Sequence, residues 1–359
     1  MFNQFNYINI LKILLPSITA FIFGMLITPI IAHYLYKYKV WKKKEREISI
    51  DGNTATITAN ILNDRERNVP RMGGLVVVFA TLFSIILFFI LSNIFEMNFI
   101  LQKFNFISRN QTWLPIAVFI LGAMIGFIDD LASAQIINLK NKYQEYGMPL
   151  RYRLIFVSLF GLLSGYWFYF KLAFSTIHIP FYGDIMIGVL IIPFFIILFL
   201  AIYGASIIDG LDGLSGGIFA ILFGTYGLIS VINNQIDIAT LCFVIAGALL
   251  AFLWFNIPPA RFYLSEVGYM PLAFSLAVIA VITNSVLFLP IIAFPLFATV
   301  LTTILQLLSK KIYKRKIFPV TPIHNSFVYI GWSKEKVVMR YWILTMICAL
   351  IGLSLYLIS

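Results

Sequence analysis

Ile207-Ile208-Asp209-Gly210-Leu211-Asp212-Gly213-Leu214-Ser215-Gly216-Gly217 sets two aspartates and four glycines at the end of a long apolar run. A carboxylate beside a membrane-crossing segment is costly, and such residues mark functional sites. Asp209 and Asp212 are three apart, so a single turn can present both on one face. Glycine lets backbone approach a ligand closely. Paired carboxylates beside exposed backbone amides make a candidate site for Mg2+ and a phosphate. The plain structural alternative is a polar loop between two spanning helices.

The surrounding composition decides the class. The chain has 359 residues, of which 61% are hydrophobic and 11% charged. Soluble domains carry roughly 25% charged residues, so this is an integral membrane protein. No soluble segment stands apart, and the expectation is one integral membrane domain over residues 1–359. Cys242 and Cys348 lie inside apolar runs and read as small core residues. The first apolar run, from about Ile13, is long enough to be a true span rather than a cleaved leader.

Working outward, the hydropathy pattern predicts an all-α polytopic fold of about ten spans. They fall near 13–36, 74–95, 112–128, 153–171, 184–205, 214–233, 237–256, 269–284, 286–308 and 340–358. The loops then alternate sides, and one side collects 22 of the 26 Lys and Arg. The positive-inside rule puts that side in the cytoplasm and both termini outside it. The net charge of +11 is therefore chiefly an orientation signal. Its residues are scattered over membrane-surface loops, which argues against nucleic-acid binding.

The acids are equally lopsided. Of 15 carboxylates, only Glu96, Asp184 and Asp237 fall on the extracytoplasmic side. Acidic residues contribute little to the orientation rule, so the cytoplasmic cluster needs another cause. Asp129 and Asp130 close the third span, Asp209 and Asp212 follow the fifth, and Glu266 lies in the loop after the seventh. All three groups abut helix ends on one face and can converge on one cytoplasmic cleft. Adjacent carboxylates repel unless a cation or proton intervenes. Asp129 and Asp130 therefore suit a metal, a proton acceptor, or a solvated helix end. The long loop 37–73 ends in Pro70-Arg71-Met72-Gly73-Gly74, which fits tight packing or a close ligand. The run Lys310, Lys311, Lys314, Arg315 and Lys316 reads as an anchor to anionic membrane lipid. His33 and His178 receive no role.

Together these pieces resemble the polyprenyl-phosphate N-acetylhexosamine-1-phosphate transferase superfamily, and within it the phospho-N-acetylmuramoyl-pentapeptide transferase family. The carriers are PRMGG (70–74), GFIDD (126–130), IDGLDGL (208–214), AFLWFNIPPA (251–260) and PIHNSFVYIGWSKEKVVMRYWI (322–343). The last is the most discriminating. The resemblance implies a Mg2+-dependent enzyme of a bacterial inner membrane. It would transfer phospho-N-acetylmuramoyl-pentapeptide from its UDP-sugar to undecaprenyl phosphate, giving lipid I and UMP. It assigns Asp129, Asp130, Asp209 and His324 to catalysis. Asp212, Asn256, Tyr263 and Arg153 go to substrate binding, and Asp209 and Glu266 to the metal. A homodimer is left open.

Several positions depart from the family pattern. Glu266 stands for Asp, Asn325 and Ser326 for the second and third residues of a His-His-His run, Ser206 for Asn, Arg71 for Thr and Arg153 for Lys. These departures motivate two alternatives. One is a related transferase that loads another UDP-N-acetylhexosamine, such as N-acetylglucosamine 1-phosphate. The other is a polyprenyl-phosphate-binding homologue with impaired catalysis. A transporter fits poorly, because no unpaired acid sits in mid-span and no repeated pair of broken helices is evident.

Overall fold

The computed structural model describes residues 7–41, 69–94, 99–134 and 148–359. Most of loop 37–73, Glu96 and the middle of segment 129–152 lie outside the described residues. In hydrocarbon every backbone polar group needs an internal partner, so apolar segments of this length form helices. The long helices are α1 (Tyr7–Lys37), α2 (Leu75–Ile94), α3 (Trp113–Ser133), α4 (Leu150–Lys171), α5 (Ile191–Gly204), α6 (Leu214–Ile232), α7 (Ile236–Asn256), α8 (Ser265–Ile282) and α9 (Phe294–Tyr313). The short α10 (Ile323–Tyr329) and the long α11 (Lys334–Ile358) complete the chain.

Among the described residues, nine helices are long and apolar enough to cross a membrane, and a bent pair makes ten. The expected all-α polytopic architecture is therefore present. The bent pair joins Val286–Ile292 to α9 at 82°. Straight continuation through the expected ninth span fails because Pro295 has no N–H to donate back to the preceding turn. A small antiparallel hairpin, β1 (Thr176–Ile179) and β2 (Gly183–Met186), links α4 to α5.

Helix α8 is the centre. It is apolar on every side, and nearly all its residues are buried against other helices. Small residues let its neighbours come close. A Cβ on Gly126 of α3 would stand 2.2 Å from the Glu266 carbonyl oxygen, and one on Gly74 would stand 2.3 Å from the Gly268 Cα. Helices α2 and α3 thus meet α8 backbone to backbone at its first turn. Outer faces such as Leu14, Ile18, Ile22 and Leu26 of α1 stay exposed, as lipid contact requires.

Two helix boundaries differ from the sequence expectation. Helix α3 runs through Ser133, so Asp129 and Asp130 lie within its last turns. Helix α8 starts at Ser265, so Glu266 lies in its first turn and not in a loop. Hydropathy ends a span at its first charge, whereas these charges are paired with arginines and the helices continue through them. The ion pairs respect the expected alternation of sides. Lys12 meets Asp237 at one end of the bundle, and Arg153 meets Glu266 at the other.

Candidate active site

The start of α8 has no cap of its own, because Leu264 precedes it and offers no side-chain acceptor. The first N–H groups of any helix lack partners inside it. Here acids from distant segments serve them. Asp209 Oδ2 accepts the Ser265 N–H at 3.1 Å, and Asp130 Oδ2 accepts the Val267 N–H at 2.9 Å. Glu266 lies between those two residues. Carboxylates are favoured at this positive end of the helix. The three acidic groups singled out in the sequence therefore meet at one turn.

Two arginines complete the cluster. Arg71 Nε stands 3.3 Å from Asp130 Oδ1. Arg153 Nε stands 3.2 Å from Asp129 Oδ1, and its Nη1 stands 3.3 Å from Glu266 Oε1. The same Nε donates to the Met148 carbonyl at 2.8 Å, while Met148 N–H donates to Asp129 Oδ1 at 2.8 Å. Asp129 and Asp130 are sealed from solvent, but both guanidinium side chains keep nearly a fifth of their surface. The cluster is thus two buried aspartates and a partly buried Glu266, fronted by two partly open cations. Tyr203 of α5, which no sequence motif singles out, lies beside Arg153, Glu266 and Asp129. A tyrosine near the end of an apolar run reads as an interface residue, so nothing in the sequence pointed to it.

The glycine-rich stretch forms the adjoining wall. A 3-10 turn over Ala205–Ile208 leads into Asp209, and Gly213 takes a φ of +77° before α6 begins. Ser215 donates to Asp209 Oδ1 at 2.7 Å, fixing the carboxylate. Gly210 has no Cβ because the His324 ring fills that place, with Nε2 2.6 Å from where a Cβ would be. His324 is fully buried at the start of α10 and sits edge-on to Tyr341. Trp342 covers the next glycines, its Nε1–H donating to the Gly213 carbonyl at 3.1 Å. The distant segment 322–343 is thereby locked onto the Asp209 turn.

Asp212 accepts the Ala260 N–H at 3.1 Å, whereas Asp209 accepts that of Ser265. Asn256 is 2% exposed, and both ends of its amide are engaged by backbone. Its Oδ1 accepts the Gly213 N–H at 2.9 Å and its Nδ2 donates to the Phe262 carbonyl at 2.7 Å. It clamps the glycine-rich turn to the 257–264 loop. Tyr263 is buried in that loop, whose backbone is clipped to the Pro70 and Gly73 segment. Ser326 bonds both the N–H and the carbonyl of Val320, so it braces its own loop.

Among the described residues, no three Asp, Glu, His or Cys side chains stand close enough to hold a metal ion unaided. Asp209 binds the N–H next to Glu266, while the Glu266 carboxylate turns to Arg153. One feature does suit a cation: Glu266 Oε2 is sealed from solvent and has no hydrogen-bond partner among the described residues.

A membrane-embedded bundle with a carboxylate cluster at one end fits the class that the comparison returns. Residues 112–284 match the model for glycosyl transferase family 4. Over 345 residues the chain is 30% identical to a curated phospho-N-acetylmuramoyl-pentapeptide-transferase of Clostridium perfringens strain 13, covering 96% of this chain and 98% of that protein. A namesake from Chloroflexus aggregans is 27% identical over 361 residues, which is 97% of this chain and 90% of the relative. Another, from Vesicomyosocius okutanii, is 29% identical over 375 residues, covering 98% of this chain and 94% of the relative. The chain belongs to the phospho-N-acetylmuramoyl-pentapeptide-transferase family.

Proposed function

We propose that this chain transfers phospho-N-acetylmuramoyl-pentapeptide from its UDP-sugar to undecaprenyl phosphate, giving lipid I and UMP. The reading places the cleft on the cytoplasmic face of a bacterial inner membrane, with both termini on the other side. Near-full-length likeness to curated transferases supports the activity. The observation that carries the site is the meeting of Asp130, Asp209 and Glu266 at the first turn of α8.

The chemistry joins two anions. An acceptor phosphate oxygen attacks the sugar-bearing phosphorus, the anhydride P–O bond breaks, and UMP leaves. Mg2+ is commonly held by one or two carboxylates, with substrate phosphates completing its shell. Asp209 and Glu266, with its unpartnered Oε2, fit that role, and the bound ion would supply charge neutralisation at the diphosphate. The chain's own residues do the rest. Arg153 and the Met148 N–H fix Asp129 in one orientation, from which it accepts a proton when the acceptor oxygen carries one. Burial of the acids keeps water from competing as nucleophile. Asn256 and Asp212 hold the two loops that form the nucleotide pocket beside Tyr263. His324 supports the Asp209 turn at Gly210.

The test is release of UMP from UDP-N-acetylmuramoyl-pentapeptide by membranes supplied with undecaprenyl phosphate and Mg2+. The parent releases UMP, and Asp209→Asn lowers the rate by about 100-fold or more, the scale of losing one electrostatic contact to a transition state. Equal rates for parent and variant overturn the reading. Preferential consumption of UDP-N-acetylglucosamine transfers it to the sister activity, which the departures at Asn325 and Ser326 favour.

A further inference from the structure

Helix α9 is held to the bundle along one side. Thr299, Gln306 and Ser309 are buried there, while Leu301, Ile304, Leu308 and Ile312 are 47–64% exposed. Their spacing of three and four residues lines them up on one face. Lys311, three residues beyond Leu308, extends the same face. An open apolar row therefore ends in a cation.

Lys314 closes α9 with a φ of +53°, and the chain then returns alongside the helix. Two buried side chains hold it there. Ser309 Oγ donates to the Arg315 carbonyl at 2.9 Å. Gln306 Oε1 accepts the N–H groups of Ile317 and Phe318 at 3.0 Å each, and its Nε2 donates to the Phe318 carbonyl at 3.0 Å. A block of like charges repels itself, and these bonds keep the basic turn folded back on α9. Lys311, Lys314, Arg315 and Lys316 are all exposed. Among the described residues, none of the four side chains pairs with a carboxylate.

We propose that this face of α9 seats an anionic phospholipid of the surrounding bilayer. Acyl chains lie along the row from Leu301 to Ile312, and the phosphate diester meets Lys311, Arg315 and Lys316. Apolar contact alone takes any lipid, whereas the cations select for charge. Each Lys or Arg held at an anionic leaflet strengthens binding by about 5-fold. Exposed cations with no acid among them suit a layer of headgroups, not one enclosed phosphate. The site goes beyond the transferase reading and does not depend on it.

The full chain in detergent micelles is titrated with fluorescent phosphatidylglycerol and, separately, with fluorescent phosphatidylcholine, read by anisotropy. The parent prefers the anionic lipid by about 10-fold or more, and a variant carrying Lys311→Gln, Arg315→Gln and Lys316→Gln brings the two within about 2-fold. Lys37→Gln, Lys39→Gln and Lys334→Gln together remove the same charge elsewhere and keep the parent's preference. Raising NaCl from about 0.1 M to about 1 M shortens the screening length from about 10 Å to about 3 Å and should erase the preference of the parent. A parent without preference, or a folded triple variant that keeps it, overturns the proposal. Should the triple variant fail to fold, its three substitutions are read singly. A loss of about 3-fold or more in any one upholds the site, and parent-like preference in all three overturns it. Unlabelled undecaprenyl phosphate is titrated as a competitor. If the triple variant weakens it alone and leaves the phosphatidylglycerol preference intact, the patch belongs to the acceptor and the proposal fails.

Discussion

Asp130 Oδ2 accepts the Val267 N–H at 2.9 Å, so a carboxylate near the end of α3 caps the first turn of α8. One side chain therefore ties two helices, a buried helix start and a guanidinium together. Asp130→Ala would orphan the Val267 N–H and remove the contact to Arg71 Nε. The expected cost is about 1–3 kcal/mol for the buried donor alone, seen as a lower Tm in detergent. Asp130→Asn keeps an acceptor for Val267 and should recover much of the Tm. It should not recover UMP release, because the neutral amide no longer pairs with Arg71. Recovery of both by Asp130→Asn would make Asp130 a cap alone.

The crossing of α3 over α8 gives a second expectation. A Cβ at Gly126 would lie 2.2 Å from the Glu266 carbonyl oxygen and 2.7 Å from the Val267 Cα, both backbone atoms. Backbone cannot swing aside as a flexible side chain can, so Gly126→Ala must push the helices apart. Overpacking of this kind costs about 1–3 kcal/mol. The displacement falls on the turn that holds the acids, so UMP release should drop with Tm. Gly224 in α6 has open space where its Cβ would go. Gly224→Ala is therefore the control, with Tm and rate at parent level.

Much of this site is legible in the chain as letters, for identifiable reasons. Acids packed against helix ends on one side of a membrane need a cause, and the convergence of Asp130, Asp209 and Glu266 supplies it. The helical membership of Asp129 and Glu266 is hidden, because hydropathy cannot tell a neutralised carboxylate from a solvated one. The bend before α9 is hidden because Pro290 and Pro295 sit in an otherwise continuous apolar run. The hairpin at Thr176–Ile179 escapes because its four-residue strands lie inside a short connection. Tyr203 is invisible for a different reason. Its partner Arg153 is 50 residues away in sequence, and only packing of α4 on α5 brings them together.

Asn256 tests whether the proposed nucleotide site depends on the loops that its amide joins. Its amide holds the Gly213 N–H and the Phe262 carbonyl, both buried. Asn256→Ala orphans each, at about 1–3 kcal/mol per group. The glycine-rich turn and the 257–264 loop should then separate, with weaker UDP binding and a lower Tm. Isothermal titration with UDP and a melting curve check both. An unchanged UDP affinity would show that the clamp does not shape the pocket.

Glu266 carries the sharpest expectation, because its two oxygens have different fates. Oε1 is paired with Arg153, and Oε2 is buried with no hydrogen-bond partner among the described residues. An unsatisfied buried carboxylate oxygen is costly, and a divalent ion with a substrate diphosphate would relieve it. Mg2+ together with UDP should then raise the Tm of the parent more than either alone, by ternary linkage. Glu266→Gln keeps the shape but not the charge, and should lose most of that extra stabilisation. The Mg2+ concentration for half-maximal UMP release should rise about 10-fold or more in the same variant, in line with strict carboxylate ligation of this ion. Glu266→Asp is shorter by one carbon–carbon bond, about 1.5 Å. It cannot reach Arg153 and a bound ion from the present backbone, so it should lose the Arg153 contact first and retain part of the Mg2+ response. A Glu266→Gln protein whose melting and rate respond to Mg2+ as the parent does would remove Glu266 from the proposed metal site and leave it as the counter-ion of Arg153.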